Sequence, residues 1–565
     1  MELTWQLLNE HDVDKINRFA DELKCPRIFA KILLNRGIED IEAARKFFKP
    51  NMQQLHNPLL MKGMSGAVKR IRTALVSREK ILIYGDYDVD GTTGTSMLLL
   101  FLKELGHPAE FYIPDRISEG YGLSEKGIQS VKAQGISLMI AVDCGITALK
   151  EIELARSIGI DVIVCDHHQP GPQLPPALAI LNPKRSDCSY PFKELAGVGV
   201  AFKLVHGLQM YLELDEQILL KYLDLVAIGS AADIVPLVDE NRILVKFGLE
   251  NLNQTEKVGI RALLEVSGLR SQPIGTGQVV FIIAPRINAV GRLGDAGRAV
   301  RLLTSTSDQQ AKNIAAILES ENRNRRNIDE ETFGQAVEII QNDFDPKSDM
   351  AFVLDSEGWH PGVIGIVASR IVERYYRPTI MIATEDGVGK GSARSIPGFD
   401  IYQALKSCED LMIGFGGHKY AAGLTIETQN IPIFREKFHK VASEFLTDEL
   451  LTPKLRIDGE LRFKEINGTL LKLLKKMAPF GPQNMRPVFY SKDLQVVGTP
   501  CIVGNNHLKF KVRQDGVVMD AIGFKLGDLL YRISSGERNV EMAYVIDENE
   551  WQGRKTIQLR VKDLR

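Results

Sequence analysis

The sequence predicts a multidomain α/β protein: a parallel sheet near the front, a long connecting helix, a second α/β segment, and a basic β-barrel at the end. Three observations predict it. Apolar runs at 81–84, 138–142 and 162–165 recur through the first 170 residues, and amphipathic stretches at 92–105 and 146–157 follow the first two. Aliphatic runs without alternation read as strands buried on both faces, and repeated strand–loop–helix order reads as a parallel sheet. The chain also runs from 307 to 341 with no proline and one glycine, Gly334. Finally, residues 451–565 hold 20 Lys/Arg against 13 Asp/Glu, so the net charge of −2 splits into +7 there and −9 before it.

At 565 residues the chain exceeds a single core, and five segments follow from the pattern. Residues 1–65 are helical in pattern, with Phe29, Ile32, Leu33 and Leu34 on one stretch and Ile41, Ala44, Phe47 and Phe48 on another. Residues 66–300 carry the parallel sheet. The proline-rich run GPQLPPALAILNPK (171–184) inside it is too irregular for an element. Residues 301–345 hold the connecting helix, apolar at Ile314, Ile317 and Leu318, then at Phe333, Val337 and Ile340, and polar between. A helix apolar at its ends and polar in the middle reads as a bridge between domains. Residues 346–450 read as strand (351–354), helix (363–375) and strand (379–383), followed by two glycine-rich turns, GKGSARS (389–395) and GFGGHKYAAG (414–423). In 451–565, residues 507–513 alternate with period two ahead of Asp515-Gly516, a hairpin signal.

Composition excludes some classes. Apolar content of 44% and charged content of 25% suit a globular protein, and no apolar stretch approaches the ~20 residues that span a bilayer. The start lacks the basic and apolar regions of a secretory signal. Six cysteines without C-x-x-C spacing point to a reducing cytoplasm.

The chemistry gathers where the three strands end. The first runs into GDYDVDG (85–91), the second into Asp143, the third into Asp166, His167 and His168. Ligands of open α/β sheets bind beyond the carboxyl ends of the strands. Asp86, Asp88, Asp90, Asp143, Asp166, His167 and His168 therefore share one edge and would repel one another unless cations neutralise them. A calcium loop is disfavoured, because the position for its bidentate Glu, six residues after Gly91, is Met97. Imidazole with carboxylates suits Mn²⁺, Zn²⁺ or iron, and carboxylates with water suit Mg²⁺ or Mn²⁺. Two such ions bridged by one carboxylate would activate water and clamp a phosphoryl group.

GDYDVDG, VDCG (142–145), the Asp-His-His triplet and SAADIVPL (230–237) resemble the four motifs of the DHH phosphoesterase superfamily. APRINAVGRLGDA (284–296), HPGVIGIVASR (360–370), GKGSARS and GFGGHKYAAG resemble later motifs of its single-strand-specific 5′→3′ DNA exonuclease branch, in family order along essentially the whole chain. The resemblance implies a DHH domain, a DHH-associated domain and a C-terminal OB-like nucleic-acid-binding barrel. It implies two divalent ions, Mn²⁺ or Mg²⁺, on Asp86, Asp88, Asp143, His167 and Asp233, with Asp143 as the bridge. Asp90 and Asp166 match motif positions that are ligands or their supports, and His168 is assigned to phosphate contact or proton transfer. Tyr84 stands where many relatives carry a histidine. Substrate phosphates fall to Arg286, Arg292, Ser392, Arg394, Gly416, Gly417 and His418.

The implied activity is release of 5′-mononucleotides from single-stranded DNA with a free 5′ end, in DNA repair and recombination. The implied partners are a single-strand-binding protein and a RecQ-type helicase, with a monomeric, cytoplasmic, non-membrane enzyme. In the barrel, Lys509, Lys511 and Arg513 are the expected strand contacts, with one or two of Phe510, Phe524, Tyr531 and Trp551 as exposed stacking faces. A phosphoesterase acting on oligoribonucleotides, cyclic dinucleotides or pyrophosphate would lack the basic barrel. A non-catalytic single-strand binder would have lost the ligand residues, which are all present here.

Overall fold

The computed structural model describes residues 3–116, 118–345, 348–533, 539–551 and 553–565; the side chain of Trp551 lies outside the described residues. The chain divides into two compact units. One comprises 56–235 and 247–453; the other comprises 3–55, 236–246 and 454–565. Among the described residues no helix is long and apolar enough to cross a membrane.

The first unit contains a five-stranded sheet, parallel throughout, in the order Glu110–Tyr112, Ile81–Gly85, Leu138–Val142, Asp161–Cys165, Ala179–Leu181. The three apolar runs are its central strands, and 81–85 and 138–142 are buried at every position. The chain reverses direction across the sheet between Ile81–Gly85 and Leu138–Val142, which opens a crevice at their carboxyl ends. Helix Val89–Glu104 follows the first of these and Leu149–Ser157 the second. The proline-rich run is not wholly irregular: it contains the edge strand Ala179–Leu181, too short to show a period.

The connecting helix is one unbroken element, Asp308–Asp343, about 54 Å long at the α-helical rise. Its polar middle is partly buried rather than solvated. Asn322 and Asp329 are enclosed, and Arg286, Arg298 and Arg370 from neighbouring helices pair with Glu319, Glu321 and Asp329. Polarity here reflects an ion-pair network between packed helices.

Beyond it lies a second five-stranded sheet, in the order Gly414–His418, Ala421–Glu427, Val388–Arg394, Thr379–Glu385, Phe352–Glu357, with only the last pair parallel. Both glycine-rich segments expected as turns are strands. Their glycines answer to crowding: a Cβ on Gly389 would meet Ile382 at 2.6 Å, one on Gly391 would meet Leu424 at 2.7 Å, and Gly417, at φ 145°, would strike the Ala421 carbonyl at 2.5 Å. Low strand propensity concealed strands in which Gly389, Gly391 and Gly417 leave no room for a side chain.

The second unit is built on a barrel. Strands Phe489–Val503, His507–Gln514, Val517–Gly523, Arg554–Leu564 and Asn539–Trp551 pair in that order, and the last pairs back onto the first. Asp515 (φ 50°) and Gly516 (φ 82°) form the two-residue hairpin turn. The N-terminal helices are not a separate layer. Phe29, Ile32 and Leu33 share a core with Leu470, Phe489 and Tyr544, and strand Thr4–Leu7 pairs in parallel with Lys454–Ile457. Cutting the chain near Leu450 would strip the N-terminal helices of that core, so the barrel's contribution has to be tested by point substitution.

Candidate metal centre

Each of three strands extends by one ladder hydrogen bond into its functional residue. The N–H groups of Asp86, Asp143 and Asp166 donate to the carbonyls of Val142 (3.2 Å), Cys165 (2.8 Å) and Leu181 (3.0 Å). The sheet therefore fixes three carboxylate-bearing backbones in register. Asp143 is held at φ 62° and Ile234, just after Asp233, at φ 60°. Left-handed geometry at a β-branched residue is costly, and such strain gathers where side chains must be aimed.

The aimed side chains converge. Asp86, Asp88 and Asp143 bring carboxylate oxygens within 4.8 Å of one another, as do the ligand atoms of Asp143, His167 and His168, and of Asp90, His167 and Asp233. Asp143 belongs to two of these groups, with its Oδ1 3.2 Å from His167 Nε2; Asp233 Oδ2 lies 3.5 Å from the same nitrogen.

Charge makes the arrangement unstable as protein alone. Burial, then the Asp88 charge, pushes Asp86 well above the ordinary carboxylate range. Asp143 is pushed the same way by burial and by Asp90, Asp88, Asp233 and Asp86, and Asp233 rises to about 7 through burial and Asp88. Burial, then the His168 charge, lowers His167 to about 3, so its imidazole is neutral and able to ligate. Asp86 Oδ1 and Asp143 Oδ1 are buried with no hydrogen-bond partner. Orphaned carboxylate oxygens, a neutral imidazole and mutual repulsion fit divalent cations.

Two expected residues support the cluster from behind. Asp90 spends both oxygens on the first turn of helix Gly197–Tyr211, accepting from Gly197 N–H at 2.5 Å and Val198 N–H at 2.8 Å. Asp166 accepts from the N–H groups of Ile146, His167 and His168, and from His168 Nδ1 at 2.8 Å. Burial would raise Asp166, but the hydrogen bond and charge of His168 bring it down to about 2. Burial would lower His168, but Asp166 and the nearby carboxylates raise it to about 9. Tyr84 is buried, with its hydroxyl 3.4 Å from the Gly122 carbonyl and accepting from Ser124 N–H, and it joins none of the three ligand groups.

Of the residues expected on phosphate, Arg292, Ser392 and Arg394 lie together with a residue the sequence did not single out, Arg116. Burial and the charges of Arg116, Arg325 and Arg394 lower Arg292 to about 10, and Arg394 is lowered by burial and Arg116. Arg116, Arg292 and Arg394 have no ion-pair partner among the described residues. Gly365, in the first turn of helix Ile364–Tyr375, is so close that a Cβ would lie 2.8 Å from Ser392 Oγ and 3.0 Å from Arg394 Nη2. Uncompensated guanidinium groups, a hydroxyl and a helix N-terminus suit an anion. A cavity of about 470 Å³, lined by Arg116, Gly120, Gly362, Lys390, Phe415 and Gly416, opens beside them.

Arg286 does not join this group. It is buried, and its Nε donates to Glu319 while Nη1 donates to the Ile282 carbonyl, both at 2.6 Å, so it braces the connecting helix. Gly417 and His418 lie in the exposed edge strand Gly414–His418.

Two further features escaped the sequence reading. Tyr121 donates its hydroxyl to the Asp143 carbonyl at 3.0 Å and lies 3.2 Å from His168 Nδ1. Gly197 leaves room for the central carboxylate, since a Cβ there would lie 2.4 Å from Asp143 Oδ1. Gly197→Ala should therefore displace Asp143 and lower metal-dependent turnover by about tenfold or more, because misplacement by about 1 Å at a reacting centre is expensive. Unchanged circular dichroism with wild-type turnover would show that the carboxylate can yield.

On the barrel, Lys509, Lys511 and Arg513 alternate outward with buried Leu508, Phe510 and Val512. Phe524 and Tyr531 are exposed, and Phe524 is flanked by the His507 ring at 5.1 Å and the Arg560 guanidinium at 5.0 Å. The double substitution Phe524→Ala and Tyr531→Ala should weaken single-strand affinity about tenfold with an unchanged salt slope. Lys509→Ala should instead flatten the slope of log affinity against log salt by about 0.7. Titrations at several salt concentrations separate stacking from phosphate contact; equal slopes for all variants would remove Lys509 from the strand's path.

Comparison with known proteins adds independent findings. A family model described as the DHH family, N-terminal domain matches residues 80–230, a DHHA1 domain model matches 349–444, and a RecJ OB domain model matches 457–563. The chain is 39% identical over 564 residues to the single-stranded-DNA-specific exonuclease RecJ of Bacillus subtilis, covering 99% of this chain and 70% of that one. It is 34% identical over 582 residues to the Escherichia coli protein of the same description, covering 99% and 98%. The crystal structure of RecJ in complex with Mn²⁺ from Thermus thermophilus matches with a TM-score of 0.85 at 30% identity, over 100% of this chain and 79% of that one.

Proposed function

The chain belongs to the RecJ family of single-stranded-DNA-specific exonucleases, and on that premise we propose that it digests single-stranded DNA from a free 5′ end, releasing 5′-mononucleotides by metal-dependent hydrolysis in DNA repair and recombination. The observation that carries this reading is the convergence of Asp86, Asp88, Asp143, His167 and Asp233 at the strand edge, with Asp143 shared between ligand groups. These residues would hold two divalent ions, Mn²⁺ or Mg²⁺, which would supply a nucleophilic water at neutral pH and charge stabilisation at phosphorus.

The protein's own groups do the rest. Asp90 ties the first motif to helix Gly197–Tyr211 and so fixes the loop that carries Asp86 and Asp88. Asp166 occupies His168 Nδ1, so Nε2, with the Tyr121 hydroxyl 3.4 Å away, is the nitrogen that meets a phosphoryl oxygen or passes a proton to the departing one. Arg116, Arg292, Ser392 and Arg394 hold phosphate by charge and hydrogen bonds, and the cavity beside them admits a chain end. Exposed aromatics on the barrel offer stacking faces to the bases of a single strand.

The reading extends to a cytoplasmic monomer whose partners are a single-strand-binding protein and a RecQ-type helicase. Sedimentation velocity and binding assays with the pure proteins test those points. Family membership and the basic barrel weigh against a phosphoesterase of short oligoribonucleotides or cyclic dinucleotides. A direct experiment compares 5′-labelled single-stranded DNA with an RNA oligomer, each with Mn²⁺ and with EDTA. Labelled mononucleotide should appear from DNA with Mn²⁺ alone; metal-independent cleavage would refute the assignment.

A further inference from the structure

The motif HPGVIGIVASR supplies the helix whose first turn sits against Ser392 and Arg394, but its first residue has a separate arrangement. The Gly362 N–H donates to His360 Nδ1 at 3.0 Å. A ring nitrogen that accepts carries no proton, so the neutral imidazole keeps its proton on Nε2. Burial and the nearby Arg116 charge both pull His360 below the ordinary histidine range, which keeps the ring neutral. Among the described residues Nε2 has no partner.

The turn that sets this ring is held on two further sides. Arg292 donates from Nη1 to the Gly362 carbonyl at 3.0 Å, and a Cβ on Gly362 would lie 2.6 Å from the Arg292 carbonyl and 3.0 Å from the His360 ring. An unpaired N–H donor of fixed tautomer thus stands in a turn held by Arg292 and within reach of the Arg116 charge, two guanidinium groups without an ion-pair partner among the described residues.

We propose that His360 is a substrate-contact residue whose Nε2–H donates to a phosphate oxygen held by Arg116, Arg292 and Arg394. The inference rests on reading that cluster as the phosphate cradle. A neutral donor suits the position, because a further cation would have to be desolvated beside like charges, whereas an imidazole N–H adds a directed bond without charge. The phosphate is a terminal monoester at the 5′ end or the adjoining diester, which present the same anionic oxygens.

Steady-state kinetics with Mn²⁺ on 5′-phosphorylated and 5′-hydroxyl single-stranded oligonucleotides test this. His360→Asn retains an acceptor for the Gly362 N–H but is too short to replace Nε2, whereas His360→Gln retains a donor at that reach. The asparagine variant should raise KM about tenfold, the worth of a hydrogen bond to a charged group, with kcat unchanged, and the glutamine variant should recover most of the loss. A KM rise confined to 5′-phosphorylated strands assigns the terminal monoester; a rise on both assigns the diester. An unchanged KM in His360→Asn, a fall in kcat alone, or equal impairment of the two variants overturns the contact. Arg394→Ala is measured in parallel. If it leaves KM unchanged, the cradle itself has been misread; if it raises KM while His360→Asn does not, only the His360 contact falls.

Discussion

Asp143→Ala should lower turnover on single-stranded DNA by about 10³-fold or more, because the loss of bound-cation chemistry is worth several kcal/mol and each 1.36 kcal/mol is tenfold in rate. Strand affinity should stay close to wild type, since Lys509, Arg513, Phe524 and Tyr531 lie on the barrel, in a unit with its own core. The size of the effect follows from position. Asp143 shares ligand atoms with Asp86 and Asp88 on one side and with His167 and His168 on the other, so its removal opens both groups at once. Removing Asp88 takes a ligand from one group only and should leave the other two intact. Metal analysis beside single-turnover kinetics checks the prediction. Near-normal turnover in Asp143→Ala would remove the shared-ligand assignment.

Asp166→Asn should cost about 10²-fold in kcat, at the upper end for residues that orient ligands rather than bind the metal. The carboxylate accepts four hydrogen bonds, from the N–H groups of Ile146, His167 and His168 and from His168 Nδ1. An amide presents an NH₂ where an acceptor is required, so at least one buried donor is left facing another donor. The hydrogen bond and charge by which Asp166 raises His168 also disappear, so the imidazole loses its orientation and its hold on the proton weakens. Bound Mn²⁺ at saturating concentration should remain close to wild type, because Asp166 belongs to none of the three ligand groups. A variant with full kcat would show that His168 needs no support from Asp166.

Much of the centre was legible because its signals are local. Buried strands announce themselves as apolar runs, and the residues that end them are fixed on one edge by sheet geometry. Asp86, Asp88, Asp143 and His167 could therefore be placed without coordinates. The arginine cluster proposed to hold phosphate was less legible. Arg116 follows a three-residue strand, Glu110–Tyr112, too short to register as an element. Ser392 and Arg394 sit in a strand disguised by glycine. Arg286 resembled a phosphate ligand, and only tertiary contact with Glu319 shows that its charge is already used. The shared core of the N-terminal helices and the barrel joins residues more than 400 positions apart, and no periodicity in the sequence reports such a pairing.

The strand edge, charged with divalent ions, should remove nucleotides from a 5′ end. Purified protein in Mn²⁺ should be given equal amounts of a linear single strand and the same sequence as a covalently closed circle. Mn²⁺-dependent conversion of the linear strand to 5′-mononucleotides should begin at the 5′ terminus, with the circle untouched. Cleavage of the circle at a comparable rate, or digestion of the linear strand from its 3′ end, would contradict it.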